Sequence, residues 1–281
     1  MTGGPRHRWW EPTTPARHRA ARPPRHISPP YAEPATARAR RRRAITATGI
    51  GGAGLLGLSL STKADSPQFY LLTMGLAGTW AAGALSSGPL PLDTPPGQDS
   101  GRRHPVVMPV LTGAGAFGLF YGAARLARHI PPLNRAIGSV LHYADVGSTP
   151  LVLLTAGANA LAEELFFRGA LWALVQDSHP LAKTTLAYAA TTATTRNPAL
   201  MLAGAATSVL FGLQRRTSGG ILAPALTHLT WSLLMLHYLP PLFQTPQRPD
   251  ITWARLSGPA AAGAHLLGCG VLHEIFGFTP M

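Results

Sequence analysis

Glu163-Glu164-Leu165-Phe166-Phe167-Arg168 sits inside a run that is otherwise apolar from residue 151 to residue 175. Two adjacent carboxylates and a guanidinium in that setting decide how the chain is read. An ionised side chain at mid-bilayer depth costs about 2.5–3.5 kcal/mol on insertion scales. Three such groups within a turn and a half of helix need something to offset them. Ionisable residues inside a membrane span mark a functional site by default.

The rest of the chain supports a membrane setting. Charged residues make up 12% of the 281 residues, about half the share usual in a soluble domain. Apolar runs fall at about 44–61, 67–87, 105–126, 150–175, 181–196, 199–214, 219–238 and 257–277. Each approaches the length of about 20 residues that spans hydrocarbon. The expected fold class is therefore an all-α integral membrane protein, a bundle of about eight transmembrane helices. The run 181–196 is the weakest of the eight. Its threonines lower its hydropathy but can bond within the helix or to neighbours.

The net charge of +13 is unevenly spread. Residues 1–43 hold eleven arginines against Glu11 and Glu33, with many prolines and no helical period. They read as a disordered basic tail, 1–43, ahead of a multi-pass membrane domain, 44–281. Beside a span, such a tail points to retention in the cytoplasm and attraction to anionic membrane lipids rather than to nucleic acid. With the tail inside, the inner connections carry Arg102, Arg103, Arg215 and Arg216. The outer ones carry Lys63, Arg128, Arg135, Arg248 and Arg255 over a greater length. That asymmetry places both termini in the cytoplasm, in the plasma membrane. Arg40 to Arg43 before a Gly-rich run also resembles a twin-arginine export signal. Uncleaved anchoring fits the span count better. Arg dominates over Lys, which appears only at 63 and 183, and a GC-rich bacterial source fits that bias. The single cysteine, Cys269, allows no intrachain disulfide.

On a helix Glu164 and Arg168 share a face four residues apart and can pair. Glu163 is turned about 100° away and has no evident partner in its own helix. Such a carboxylate suits proton exchange with a water or a leaving group. His228 lies four residues after Pro224, in the run 219–238. Proline loosens the helix there, and a histidine at that depth can bind a metal, orient a water or stabilise an oxyanion. Ser232 lies one turn further on the same face. The other reading of all these groups is that they hold helices together.

Glu163-Glu164-Leu165-Phe166-Phe167-Arg168-Gly169 resembles the EExxxR motif of the CAAX-protease and bacteriocin-processing family of intramembrane proteases. Residues 218–228, Ser-Gly-Gly-Ile-Leu-Ala-Pro-Ala-Leu-Thr-His, resemble the approach to that family's HxxxN-type motif. The resemblance covers about residues 150–238. It implies eight transmembrane helices and a glutamate that activates water to cleave a peptide bond near the cytoplasmic leaflet. It also implies histidines and an asparagine that orient the water and stabilise the oxyanion. Zinc or another divalent metal is a possible cofactor by the same resemblance, with Glu163 and His228 as its ligands if any. The expected partners are membrane lipids and a peptide or membrane-protein substrate.

Two positions depart from the pattern. The family's middle motif is FxxxH, and the matching Tyr188-Ala189-Ala190-Thr191-Thr192 holds Thr192 at the histidine position. The last position of HxxxN holds Ser232. The resemblance thus names Glu163, Glu164, Arg168, His228, Thr192 and Ser232 as site residues. It leaves open a catalytically inactive relative that binds membrane peptides or acts as a scaffold.

Overall fold

The computed structural model describes residues 34–90 and 105–243. Those residues form helices and no strands. In chain order they are α1 (Ala35–Ser59), α2 (Pro67–Ser86), α3 (Val107–Ala127), α4 (Pro131–Val146) and α5 (Thr149–Glu164). A π-helical stretch (Leu165–Leu171) and α6 (Trp172–Val175) continue α5 without a break. Then come α7 (Pro180–Ala193), α8 (Pro198–Ser218), α9 (Leu222–Tyr238) and a short 3-10 turn.

Helix starts follow local chemistry. Pro at the first helical position opens α2, α4, α7 and α8, where its missing N–H costs nothing. Asn197 caps α8 by accepting from the N–H groups of Ala199 and Leu200. Gly219 ends α8 at φ 74°, a left-handed conformation that glycine adopts without strain.

Seven of the eight expected apolar runs form helices, and the eighth, 257–277, lies outside the described residues. Two helices, α3 and the continuous Thr149–Val175, are long and apolar enough to cross a membrane by length and composition. Helix α7 has 14 residues, about 21 Å at 1.5 Å per residue, short of the ~30 Å hydrocarbon core. Its threonines bond back into the helix as expected: Thr184 to the Pro180 carbonyl at 2.8 Å and Thr191 to the Ala187 carbonyl at 2.9 Å.

The boundary placed at residue 43 moves. Residues 1–33 of the expected tail lie outside the described residues, but helix α1 already begins at Ala35. Ala and Arg are strong helix formers, so the basic run extends the helix. Arg41 is buried, and its guanidinium donates to the Pro89 carbonyl at 3.3 Å. The connection 127–149 also differs from expectation, because most of it is helix α4. Leu133, Ile137, Val140 and Leu141 of α4 line an apolar cavity of about 460 Å³ shared with α3, α5, α8 and α9.

The Thr149–Val175 helix is the centre of the bundle. Its segments contact α1, α2, α4, α7, α8 and α9. One side is apolar: Trp80 of α2 packs on Phe166 and Phe167 at 4.7 and 5.3 Å between ring centroids. The other side holds the polar residues. Large apolar residues also face outward, Leu119 at 77% and Leu71 at 73% exposure, while Glu164, Arg168, Thr184 and Ser208 are fully buried beside the aromatic core. That arrangement fits a solvent that cannot hydrogen-bond.

Candidate functional site

The site is built on α5 and the π stretch and is closed by α7, α8 and α9. Glu164 is the last residue of α5, and Arg168 lies in the π stretch. Single π turns inside α-helices recur at functional sites, where they shift the register of side chains.

Arg168 Nη1 donates to Glu164 Oε1 at 3.1 Å, the pairing expected from their spacing. Both side chains are fully buried. His228 Nδ1 lies 2.9 Å from the same oxygen. An ionised Glu164 requires the proton on Nδ1, so the imidazole donates to it from that nitrogen and Nε2 points elsewhere. Phe211 of α8 stacks on the imidazole, with centroids 4.7 Å apart.

Arg168 is anchored from α8 as well. Its Nη2 donates to the Ser208 hydroxyl at 3.0 Å and the Ser208 carbonyl at 3.2 Å. Its guanidinium sits over the rings of Phe211 and Tyr188, 5.2 and 5.3 Å from the centroids. Aromatic faces stabilise a desolvated cation. The backbone carbonyl of Arg168 accepts from Arg215 Nε at 2.8 Å.

Glu163 points away from this pair, towards α7. The Tyr188 hydroxyl donates to Glu163 Oε2 at 2.5 Å. Glu163 is only part-buried. Tyr188 in turn lies under the Arg168 guanidinium, 5.3 Å from its ring centroid. Glu163 and His228 are thereby joined through Tyr188, Arg168 and Glu164.

The remaining two named residues stand apart. Thr192 is buried, but its hydroxyl donates to the Ala189 carbonyl of its own helix at 3.0 Å. Ser232 lines the apolar cavity, beside Trp231.

The donors do not fit a divalent metal. Among the described residues no three His, Cys, Asp or Glu side chains gather where an ion would sit. Glu164 Oε1 lies against His228 Nδ1 and already accepts from the Arg168 guanidinium. A dication there would meet the Arg168 charge without the further ligand that zinc requires.

Ser208, Phe211 and Arg215 were not anticipated as site residues, and neither was the Tyr188 bond to Glu163. A sequence signal for the first of them exists. Gly204, Ser208 and Gly212 recur every four residues, the small-residue stripe that lets membrane helices approach closely. A Cβ at Gly204 would lie 3.0 Å from the Tyr188 ring, so α7 and α8 meet there with no room for a side chain.

Residues 145–234 match the family model described as Type II CAAX prenyl endopeptidase Rce1-like. The match spans both motifs and bears out the resemblance drawn from them. No curated protein and no solved structure matches the chain.

Proposed function

We propose that the chain is an intramembrane endopeptidase that hydrolyses a peptide bond with glutamate-activated water, a reading supported by the match of residues 145–234 to the Rce1-like family model. The reading adds a bundle of about eight spans in the plasma membrane, both termini in the cytoplasm, and a site in the inner half of the bilayer. The observation that carries it is the joining of the two motifs at one carboxylate. Glu164 Oε1 is bonded by Arg168 of the first motif and His228 of the second.

The roles follow from the contacts. Glu163, part-buried and outside the Glu164–Arg168 pair, is the general base. It takes a proton as the water oxygen bonds to the scissile carbonyl carbon. The proton then passes to the leaving amine nitrogen as the C–N bond breaks. Glu164, neutralised by Arg168, fixes the imidazole of His228. With Nδ1 turned to Glu164, Nε2 is the ring nitrogen left to contact the water or the developing oxyanion. Thr192 and Ser232 assist only weakly, since neither hydroxyl is bonded to the cluster. No step is routed through a metal.

The substrate is a peptide or a membrane-protein segment, drawn from a membrane whose lipids surround the bundle. The test uses the purified full chain in liposomes with a library of membrane-segment peptides, read by mass spectrometry. Wild type should generate new peptide termini, and Glu163→Gln should generate none. Equal products from both would move the chain to the non-cleaving, peptide-binding reading.

A further inference from the structure

We infer that Tyr188 is the positioning residue of Glu163, supplying from α7 the polar contact that position 192 does not make. The inference rests on Glu163 being the general base. Its hydroxyl, at 2.5 Å from Oε2, is the hydrogen bond that Glu163 receives from another helix. A carboxylate held at one oxygen keeps one rotamer and presents the other oxygen, Oε1, to a reacting water.

The phenol is itself tightly placed. Its ring is buried and meets Phe167 edge to face at 4.8 Å. The Arg168 guanidinium lies over it at 5.3 Å. The bare Cα of Gly204 forms the opposite wall, since a Cβ there would crowd the ring at 3.0 Å and Thr192 Cγ2 at 3.1 Å. Thr192 is on the same face of α7, one turn on, with its hydroxyl turned back to Ala189. The polar reach of α7 into the cluster therefore comes from residue 188. A phenylalanine at 188 would fill the same space and leave Glu163 unheld.

The experiment uses the full chain in liposomes as wild type, Tyr188→Phe, Tyr188→Phe/Thr192→His and Glu163→Gln. Infrared spectroscopy reads the carboxyl stretch of Glu163, assigned as the band lost in Glu163→Gln, and peptide cleavage is measured alongside. Tyr188→Phe should shift that band. It should also reduce kcat about 10- to 100-fold at unchanged KM, the loss expected for one hydrogen bond to a charged group. Thr192→His should restore part of the lost kcat. An unmoved Glu163 band in Tyr188→Phe overturns the inference, even if wild type cleaves peptides. A moved band in a wild type that never cleaves retains the positioning contact and discards the protease reading instead.

Discussion

His228 Nδ1 lies 2.9 Å from Glu164 Oε1 and so joins the second motif to the second glutamate of the first, not to Glu163. Glu164 receives Arg168 at the same oxygen. One fully buried carboxylate thus holds together α5, the π stretch and α9, and through Arg168 also α8. The adjacent Glu163 is bonded instead from α7, by Tyr188.

The first prediction concerns that buried pair. Arg168→Ala leaves the buried Glu164 without its guanidinium. Removing one partner of a buried ion pair costs about 3–5 kcal/mol. The thermal midpoint of the detergent-solubilised chain should fall accordingly. Arg168→Met combined with Glu164→Gln should recover much of the loss, because the orphaned carboxyl goes as well. A double variant no more stable than Arg168→Ala would refute the pairing as a stabilising element.

Packing of α7 on α8 makes a second prediction. Gly204 abuts the Tyr188 ring and Thr192. Gly204→Leu should destabilise the bundle by about 1–3 kcal/mol through overpacking. Gly115, by contrast, has nothing within 4 Å of a built Cβ. Gly115→Leu should leave the midpoint unchanged, and equal losses at the two sites would contradict the contact.

How much of this was legible in the sequence follows from where each signal is local. The Glu164–Arg168 pair depends only on a four-residue helical offset, so it was readable. The cluster at His228 needed the resemblance, because residues 64 apart in sequence carry no mutual period. Tyr188 was read as a motif position and not as a donor, since its partner is set by how α7 lies on α5. The start of α1 was misplaced because an arginine run suggests a solvated tail, whereas Arg41 folds inward onto the Pro89 carbonyl. Helix α4 was missed for a related reason. Its apolar residues turn inward over α8 and α9 and never form a continuous run.

A third prediction tests the orientation. Single cysteines in a Cys269→Ser background report on aqueous access from either side of intact cells. Cysteine at 142, on exposed His142 of α4, should react with an impermeant maleimide from outside. Cysteine at 177, on exposed Asp177, should react only after permeabilisation. The reverse pattern would invert the topology.

His228 supplies the fourth. His228→Ala removes the second bond to Glu164 Oε1 and, on the proposed mechanism, the ring that orients the water. Cleavage should drop by a factor of about 10²–10⁴. Ser232→Ala, on the wall of the apolar cavity, should change it by less than about tenfold. A larger effect at Ser232 than at His228 would place the reacting centre in the cavity instead of the cluster.

The central claim is glutamate-dependent proteolysis, and peptide profiling of the host membrane tests it most directly. Cells carrying the wild-type chain are compared with cells carrying Glu163→Ala at equal expression. The account predicts cleaved membrane peptides present in the first and missing in the second, with the intact precursors accumulating. Identical profiles would contradict it.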